Sequence, residues 1–306
     1  MNKAKNLAVK IAGVTFKNPV MTASGTFTGE AFTDLWDISA LGALVTKGVS
    51  ADPWPGNETP RVAETHGGML NAIGLQNDGV EAFIEVTLPY LSQFKTNIIV
   101  NICGKTVDEY VAVAEALDKA KGVSMLELNI SCPNIKAGGM AFGTDPSAAA
   151  SVVEAVKKAA RQPLIVKLSP NVTDIAAIAQ AAEAAGANAL SLINTLLGMK
   201  IDIHRRKPLL ANVMGGLSGP AVKPVAVRMV YQVARAVNIP VIGMGGIATG
   251  EDAVEFLLAG AAAVAVGSAS FANPNAAMDV LAGIERYMDN HGITDVNELK
   301  MIVEPA

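Results

Sequence analysis

The stretch Leu126-Glu-Leu-Asn-Ile-Ser-Cys-Pro-Asn134 joins an apolar run to a polar loop near the middle of the chain. Residues 124–128 have the pattern of a buried strand, and the loop after them contains an amide, a hydroxyl and a thiol. Cysteine is most often a small buried hydrophobic residue, but Pro133 and the glycines that follow take the chain out of regular structure at Cys132. Loops that follow strands carry the chemistry of parallel α/β enzymes. We therefore predict that Cys132 is the catalytic residue.

Seven further runs rich in Val, Ile, Leu and Ala occur along the chain, and they do not alternate apolar with polar residues. Short runs of this kind are typical of strands buried on both faces. Residues 7–16 do alternate, and we interpret them as an N-terminal hairpin. The seven runs occupy residues 19–24, 42–47, 97–103, 163–168, 187–194, 240–245 and 262–267.

Segments with the spacing of amphipathic helices lie between most of these runs. The first opens with Thr106 and Glu109, a spacing that predicts a capping box. Strands that alternate with helices predict an α/β fold, a (β/α)8 TIM barrel that begins with the hairpin. A doubly wound sheet is the alternative, but it usually stops at about five to seven strands. The helical segments are residues 106–121, 145–161, 173–185, 221–237, 249–259 and 275–290.

No linker, charge block or low-complexity run divides the chain, which predicts a single domain over residues 1–306. Two connections, residues 48–79 and 195–219, are longer than turns require. Long ordered connections are usually functional. In a barrel, both would form long loops over the C-terminal face, where active sites are built.

Composition excludes some classes of function. The formal net charge of −4 argues against a nucleic-acid partner, which usually needs a basic face, although it leaves room for a basic pocket. The chain lacks an N-terminal signal-like segment and any apolar run of about 18 residues, so we expect a cytoplasmic protein that does not enter a membrane. Its two cysteines form no CxxC pair, which predicts no metal or iron–sulfur site in this chain. A disulfide between Cys103 and Cys132 is not expected in a reducing compartment.

Polar residues and glycines stand at the C-terminal ends of the predicted strands, and a barrel brings these ends to one mouth. Two lysines and three asparagines at such positions are hard to explain by packing, because buried polar groups need partners. They suggest a planar, polar, anionic ligand. The strand ends carry Ser24, Lys47, Asn101, Asn129, Lys167, Asn194, Thr195, Gly245, Gly246, Gly267 and Ser268.

The last two strand ends are glycine-rich, in Gly243-Met-Gly-Gly-Ile247 and Val266-Gly-Ser-Ala269. Loops after strands seven and eight are the usual phosphate site of a barrel, and glycines let backbone N–H groups approach a phosphate. Tight turns that need positive φ are the alternative explanation. A phosphate there, with Lys167 facing inward, predicts flavin mononucleotide (FMN), because a cation near N1 and O2 stabilises the reduced ring.

Several separate motifs then occur in the order typical of one family. Asn129-Ile-Ser-Cys-Pro-Asn134 is followed by Lys136-Ala-Gly-Gly139 and Phe142-Gly143, and the chain also contains Asn71-Ala-Ile-Gly-Leu75 and Ile193-Asn-Thr195. With these motifs the chain resembles the dihydroorotate dehydrogenase family from about residue 7 to residue 288. The resemblance implies an FMN-dependent oxidation of (S)-dihydroorotate to orotate in de novo pyrimidine (UMP) biosynthesis.

The resemblance also indicates a branch of the family. Cysteine at position 132, without a membrane-associating extension, is similar to the soluble class 1 rather than to the membrane-bound class that uses serine. Ile135-Lys-Ala-Gly-Gly139 and Gly198-Met-Lys-Ile-Asp202 are similar to the NAD-linked class 1B. That branch implies a partner subunit with FAD and a [2Fe–2S] cluster, and a homodimer core within a heterotetramer.

Roles of single residues follow from the resemblance. Cys132 would remove a proton from C5 of dihydroorotate while hydride leaves C6 for N5 of FMN, since a thiol beside polar groups can have a pKa near the working pH. Residues 133–143 would form a lid that opens on its glycines. Residues implied to bind the substrate are Lys47, Asn71, Ala72, Ile73, Gly74, Leu75, Asn129, Asn194 and Thr195. Those implied to bind FMN are Ser24, Lys47, Gly48, Asn101, Asn129, Lys167, Ile193, Gly219, Gly245, Gly246, Gly267 and Ser268.

Other readings stay open at the level of sequence. They are a fumarate-linked class 1A enzyme, another FMN barrel such as a dihydropyrimidine or dihydrouridine reductase, a flavin-binding scaffold subunit, and a flavin-free phosphate barrel. Cys103 is expected in the core. The three histidines have no metal-ligand spacing, and His204-Arg-Arg-Lys207 is interpreted as a solvated turn rather than a rim for the substrate carboxylate or a partner.

Overall fold

The structure, a computed structural model, describes residues 5–27, 34–131, 142–300 and 303. Eight parallel strands form a closed barrel in the order in which they follow one another along the chain, and β16 pairs with β3 to close it. The strands of the whole described chain are β1 Val9–Ile11, β2 Val14–Phe16, β3 Val20–Thr22, β4 Ala43–Val45, β5 Val62–Thr65, β6 Gly68–Asn71, β7 Asn97–Ile102, β8 Met125–Asn129, β9 Leu164–Lys167, β10 Ala189–Leu192, β11 Leu196–Met199, β12 Ile201–Asp202, β13 Lys207–Pro208, β14 Met214–Ser218, β15 Val241–Met244 and β16 Ala263–Val266.

The barrel strands are β3, β4, β7, β8, β9, β10, β15 and β16, which confirms the predicted (β/α)8 barrel. Seven of them lie inside the apolar run predicted for them, and β8 extends one residue beyond its run. Almost every residue in these strands is buried, as expected when helices cover one face and the barrel interior the other. Their side chains form one large core together with the inner faces of the helices.

The helices follow the barrel strands and pack around them. A π-helix, Phe83–Thr87, joins the two short helices after β6, a helical segment that the sequence pattern did not reveal. The helices are α1 Gly79–Ala82, α2 Leu88–Leu91, α3 Val107–Asp118, α4 Pro146–Ala159, α5 Ile175–Ala184, α6 Lys223–Ala236, α7 Gly250–Ala259, α8 Ala269–Ala272 and α9 Ala276–His291.

The start of α3 differs from its prediction in one detail. The Thr106 side chain accepts from the backbone N–H of Glu109, as a capping box requires. The Glu109 carboxylate, however, accepts from the N–H of Lys105 over 2.6 Å rather than from that of Thr106. The predicted box is therefore only half formed, because the glutamate reaches back one residue too far. A complete box occurs instead at α7, between Thr249 and the shorter Asp252.

The predicted N-terminal hairpin is present as β1 and β2, which pair in antiparallel register. The side-chain amide of Asn97, the first residue of β7, donates to the carbonyl of Thr15 over 3.0 Å. Because Asn97 stands at the N-terminal end of a barrel strand, the hairpin covers the end of the barrel opposite the strand ends singled out above. Phe16 is fully buried there.

The two long connections are built differently from loops. They pair with each other as a four-stranded antiparallel sheet in the order β11–β14–β6–β5, and β12 and β13 form a further small hairpin. Asn71 at the end of β6 is the register partner of Gly216 in β14. This sheet holds residues 62–71 and 196–218 at the C-terminal face, so the two connections form one element. Leu70, Ala72 and Leu210 form its own small core.

Candidate active site

A cavity of about 660 Å³ opens at the C-terminal face of the barrel, under the antiparallel sheet. This volume lies within the range of about 300–1,000 Å³ that is usual for small-molecule sites. Residues at the ends of every barrel strand except β7 line it. The predicted site residues in its lining are Ser24, Lys47, Gly48, Asn71, Ala72, Ile73, Gly74, Leu75, Asn129, Lys167, Ile193, Asn194, Thr195, Gly219, Gly245, Gly246, Gly267 and Ser268.

Cys132, the predicted catalytic residue, lies outside the described residues, as does most of the predicted lid. The residues on either side of this gap are described, and both sides belong to the cavity. Ser131 lines it and donates its backbone N–H to Asn129 Oδ1 over 3.2 Å. Gly143 lines it as well, and the ring of Phe142 packs edge-on against Tyr110 at 6.0 Å between centroids.

Asn129, Asn194 and Thr195 form a hydrogen-bonded group on one side of the cavity. Asn194 Nδ2 donates to Asn129 Oδ1 over 3.3 Å, and the backbone N–H of Thr195 donates to Asn194 Oδ1 over 2.8 Å. Both asparagine Oδ1 atoms are therefore occupied as acceptors. The Nδ2 group of Asn129, a residue that lines the cavity, has no acceptor within the described chain.

Residues 71–75 continue from β6 of the antiparallel sheet and form part of the cavity wall. Asn57 fixes this segment, since its backbone N–H donates to the carbonyl of Ile73 and its Nδ2 group donates to that of Ala72. Gly74 has a φ of +74°, and a methyl group on it would lie 2.7 Å from the backbone nitrogen of Asn57. A side chain at position 74 would therefore displace the wall that carries Asn71.

Lys47 extends from the end of β4 into the cavity and is half-buried. Burial lowers the pKa of its ammonium group, and nearby Arg61 lowers it further, whereas Cys103 opposes the shift. An ammonium group with such a shift loses its proton more readily than that of a free lysine.

Lys167, at the end of β9, is more deeply placed, with 6% of its surface exposed. It lines the cavity, and within the described chain its ammonium group has neither a hydrogen bond nor an ion pair. A buried charge without a partner is strongly unfavourable. The position is therefore suited to an anionic or strongly accepting group of a bound ligand.

The glycine-rich ends of β15 and β16 lie on the side of the cavity opposite the end of β8. Gly246 has a φ of +85°, and a methyl group on it would lie 2.9 Å from the backbone nitrogen of Lys223 and from the carbonyl oxygen of Gly219. Gly267 is different, because it has an ordinary φ, and a methyl group on it would meet nothing closer than 3.5 Å. Glycine is therefore not required at position 267 by backbone strain or by a close neighbour, which is compatible with a role at the cavity lining.

Asp252 and Lys223 support this glycine-rich region from below. Asp252 accepts from the backbone N–H groups of Ala248 and Thr249, and Lys223 Nζ donates to its other oxygen over 2.7 Å. Burial alone would raise the pKa of Asp252, but these hydrogen bonds outweigh it and the pKa is lowered. Hydrogen bonds to Asp252 and Glu255 raise the pKa of Lys223.

Asn101 is the predicted cofactor residue that the structure does not bring to the cavity surface. It is fully buried on β7, and its Nδ2 group donates to Glu127 Oε2 over 2.6 Å. Its Oδ1 atom is buried and has no hydrogen-bond partner among the described residues. A methyl group on Gly48, which does line the cavity, would lie 3.1 Å from that oxygen.

Some cavity residues were not found from sequence. Asn171 donates to the carbonyl of Thr195 over 3.0 Å and accepts from the N–H of Leu197 over 2.8 Å, so it fixes the turn that carries Thr195. Its only sequence signal is its place just after the Lys167 strand. Asn57 likewise lies in a connection whose pairing partner is far away in sequence.

The remaining predictions concern residues away from the cavity. Cys103 is fully buried, which confirms its assignment to the core. Residues 203–206 form an exposed turn in which Asp202 Oδ1 accepts from the N–H groups of His204 and Arg205, as interpreted from sequence. In the described ranges, no three His, Cys, Asp or Glu side chains lie close enough to hold a metal ion. No described helix has both the length and the apolarity needed to cross a membrane.

The barrel and its cavity define a class of protein: a (β/α)8 enzyme-like barrel whose site combines two lysines, several amides and glycine-rich ends of its last two strands. The family model of dihydroorotate dehydrogenase matches residues 6–288. The chain therefore belongs to the dihydroorotate dehydrogenase family, whose members are in general FMN-dependent oxidoreductases.

Curated relatives agree with this assignment. The chain is 64% identical to the dihydroorotate dehydrogenase B (NAD(+)) catalytic subunit of Alkaliphilus oremlandii, over 96% of this chain and 98% of that protein. It is 61% identical to the subunit of the same name from Lachnoclostridium phytofermentans, with 96% and 98% covered. For the one from Geobacter sulfurreducens the identity is 60%, with 96% and 97% covered.

Proposed function

We propose that this chain is the catalytic subunit of an NAD-linked dihydroorotate dehydrogenase, which oxidises (S)-dihydroorotate to orotate in pyrimidine biosynthesis. The observation that carries the proposal is 64% identity, over almost the full length of both chains, to a protein of that name. The relatives compared above share the name, which favours the NAD-linked branch over the fumarate-linked one.

The reaction removes a proton from C5 and a hydride from C6 and leaves a double bond between these carbons. In the proposal, Cys132 is the base that takes the C5 proton, since a thiol beside polar groups can have a pKa near neutrality. Asn129, Asn194 and Thr195 hold the pyrimidine ring, with Asn71 and residues 72–75 on the other side. Lys47 binds an anionic group of the substrate, and its location in the cavity supports this role.

FMN is the cofactor in this proposal, and it supplies the acceptor for the hydride when it is bound. The described residues fit such a group. Gly267 carries no side chain at the cavity lining, and Gly219, Gly245 and Gly246 bring backbone to the cavity surface. Lys167 is buried, and its ammonium group has no partner among the described residues. Asn101 is not part of the cavity lining, so its proposed contact with FMN rests on the family resemblance alone. Ser24, Gly48, Ile193 and Ser268 complete the proposed contacts.

A partner subunit completes the proposal. The relatives are named catalytic subunits, which implies a second chain. With only two cysteines, this chain cannot supply the four ligands of a cysteine-bound iron–sulfur cluster. We therefore assign FAD and the [2Fe–2S] cluster to the partner, and we propose a cytoplasmic heterotetramer around a homodimer of this chain, which folds as one domain.

The proposal is tested by steady-state assays of the purified chain loaded with FMN. We expect orotate to form from dihydroorotate with an artificial electron acceptor, and NADH to form only after the partner subunit is added. No orotate with any acceptor would contradict the dehydrogenase activity. NADH formation by the isolated chain would contradict the requirement for a partner.

A further inference from the structure

A side-chain amide holds the free edge of the sheet that covers the cavity. β11 is an edge strand of that sheet, with β14 on its other side. Asn171, in the loop after β9, donates through Nδ2 to the carbonyl of Thr195 over 3.0 Å and accepts at Oδ1 from the backbone N–H of Leu197 over 2.8 Å. An amide side chain has the same donor and acceptor as a backbone peptide group. Asn171 therefore takes the place of a neighbouring strand where β11 begins.

The Nδ2 group of Asn171 is fully used by the protein. It also lies 3.4 Å from Ser169 Oγ, which accepts in addition from the backbone N–H of Asn171 over 3.2 Å. Ser169 is buried, and both residues line the cavity. An amide nitrogen carries two hydrogens, and both have acceptors in the chain. Asn171 therefore has no hydrogen left to donate to a ligand, although it lies at the cavity.

Gly216 in β14 leaves the space that the Thr195 side chain occupies. A methyl group on Gly216 would overlap the Thr195 hydroxyl, whereas the φ of Gly216 is not one that calls for glycine. Gly216 pairs with Asn71 in the sheet, and side chains of paired residues project to the same face. The Thr195 hydroxyl therefore lies on the face of the sheet that carries the Asn71 side chain. All three residues line the cavity.

We propose that Asn171 is a positioning residue that holds the Thr195 backbone so that the Thr195 hydroxyl faces the substrate on the side of Asn71. This proposal rests on the proposed function, because it takes dihydroorotate and orotate as the ligands. Asn171 fixes the Thr195 carbonyl from the β9 side, and Gly216 gives the side chain room from the β14 side. Asn171 thereby raises the affinity for the pyrimidine without a contact of its own, and it leaves FMN binding unchanged.

The test compares Asn171→Ala with the wild-type chain, both loaded with FMN and assayed with an artificial electron acceptor. We expect the KM for dihydroorotate and the Kd for orotate to rise about tenfold, the value of one hydrogen bond of average strength. The kcat should stay within about twofold, because the hydroxyl binds the substrate equally in the ground state and in the transition state. FMN affinity, measured by fluorescence titration, should not change. Damage to the whole site would lower kcat and FMN affinity as well, and would contradict the proposal.

A double-mutant cycle tests whether Asn171 acts through Thr195. Thr195→Val removes the hydroxyl and keeps the shape of the side chain. In this background Asn171→Ala should change the orotate Kd by less than about twofold, since the group that it positions is gone. An equal rise in both backgrounds would contradict the proposed route. Gly216→Ala displaces the same hydroxyl from the other side and should also raise the orotate Kd; an unchanged Kd would contradict the placement of this hydroxyl.

Asn297→Ala is the matched control. Its Nδ2 group also donates to a backbone carbonyl, that of Ala8 over 2.9 Å, but Asn297 does not line the cavity. The variant should bind orotate like the wild type. Should Asn171→Ala fail to fold, by circular dichroism, Asn171→Ser replaces it, because its shorter side chain keeps a polar group but does not reach the Thr195 carbonyl.

Failure of this proposal is distinct from failure of the proposed function. A folded Asn171→Ala chain that binds orotate as tightly as the wild type would contradict the positioning role and leave the proposed function intact. A wild-type chain loaded with FMN that binds neither orotate nor dihydroorotate would contradict the proposed function itself.

Discussion

Asn194 Nδ2 donates to Asn129 Oδ1 over 3.3 Å and so joins the ends of β10 and β8, which are not neighbours in the barrel. The strand between them, β9, ends at Lys167. The two asparagines and the lysine therefore form one polar side of the cavity, and each has a donor group left for a ligand. Changes to this group should affect ligand binding more than folding.

Lys167→Met should have opposite effects on stability and on binding. Lys167 is 6% exposed and has no partner for its charge among the described residues, so without ligand the variant should raise the free energy of unfolding of the FMN-free chain by about 1 kcal/mol or more. It should lower FMN affinity by about 10–100-fold, the value of a charged hydrogen bond. Urea unfolding and flavin titration measure the two effects. Lys158→Met, on α4 away from the cavity, should change neither, and a loss of stability in Lys167→Met would contradict the prediction.

Lys47 should give orotate binding a characteristic pH dependence. Its pKa is lowered, mainly by burial, so its charge is lost at a pH below the ordinary lysine value of 10.5. Orotate is an anion, and its affinity should fall as pH rises through this lowered pKa. Lys47→Arg keeps its charge over this range. Orotate affinity can be measured from bound flavin fluorescence between pH 7 and about 10. It should fall with rising pH in the wild type and stay constant in Lys47→Arg. An equal fall in both proteins would assign the pH dependence to another group.

Gly267 and Gly246 should respond differently to alanine. Gly267→Ala adds a methyl group at the cavity lining that makes only ordinary contacts with Ala23 and Thr26, so stability should change by less than about 0.5 kcal/mol while FMN affinity falls. Gly246→Ala places a methyl group against backbone at a φ of +85° and should reduce stability as well. Thermal unfolding and flavin titration of both variants test this contrast. Unchanged FMN affinity in Gly267→Ala would remove this residue from the cofactor site.

Asp252→Ala should loosen the support of the glycine-rich strand ends. It removes half of a capping box and the partner of Lys223, which should cost about 1–2 kcal/mol at pH 7. The folded-state pKa of Asp252 is lowered, so its contribution is present above the unfolded value of 3.8 and is lost as pH falls through the folded value. The difference in unfolding free energy between wild type and variant should therefore narrow below pH 4. A difference that stays constant down to pH 2 would show that the charge contributes nothing.

The barrel could be predicted from sequence because each strand is a short apolar run between helices of clear periodicity. The antiparallel sheet over the cavity could not be predicted. Residues such as Glu64, Thr65 and Gly68 interrupt β5 and β6, so neither strand forms an apolar run. In this sheet β6 pairs with β14, which lies almost 150 residues further along the chain. Pairing over such a distance leaves no local pattern.

The site could be predicted as a set of strand ends but not in its hydrogen bonds. Lys47, Asn129 and Lys167 lie at the cavity because strand ends in a barrel converge. Asn101 occupies an equivalent end, yet it does not line the cavity, and its amide donates to Glu127, its register partner on β8. Which groups a buried amide meets depends on strand register and side-chain direction, and neither can be read from spacing alone.

The visible spectrum of the purified chain, before and after anaerobic addition of dihydroorotate, tests the central claim most directly. We predict a flavin spectrum that bleaches in the wild type, and that bleaches at least about 100-fold more slowly in Cys132→Ser although FMN stays bound. Equal rates in the two proteins would remove Cys132 from the reaction. A wild-type flavin spectrum that stays oxidised, in folded protein with FMN bound, would contradict dihydroorotate as the substrate of this chain.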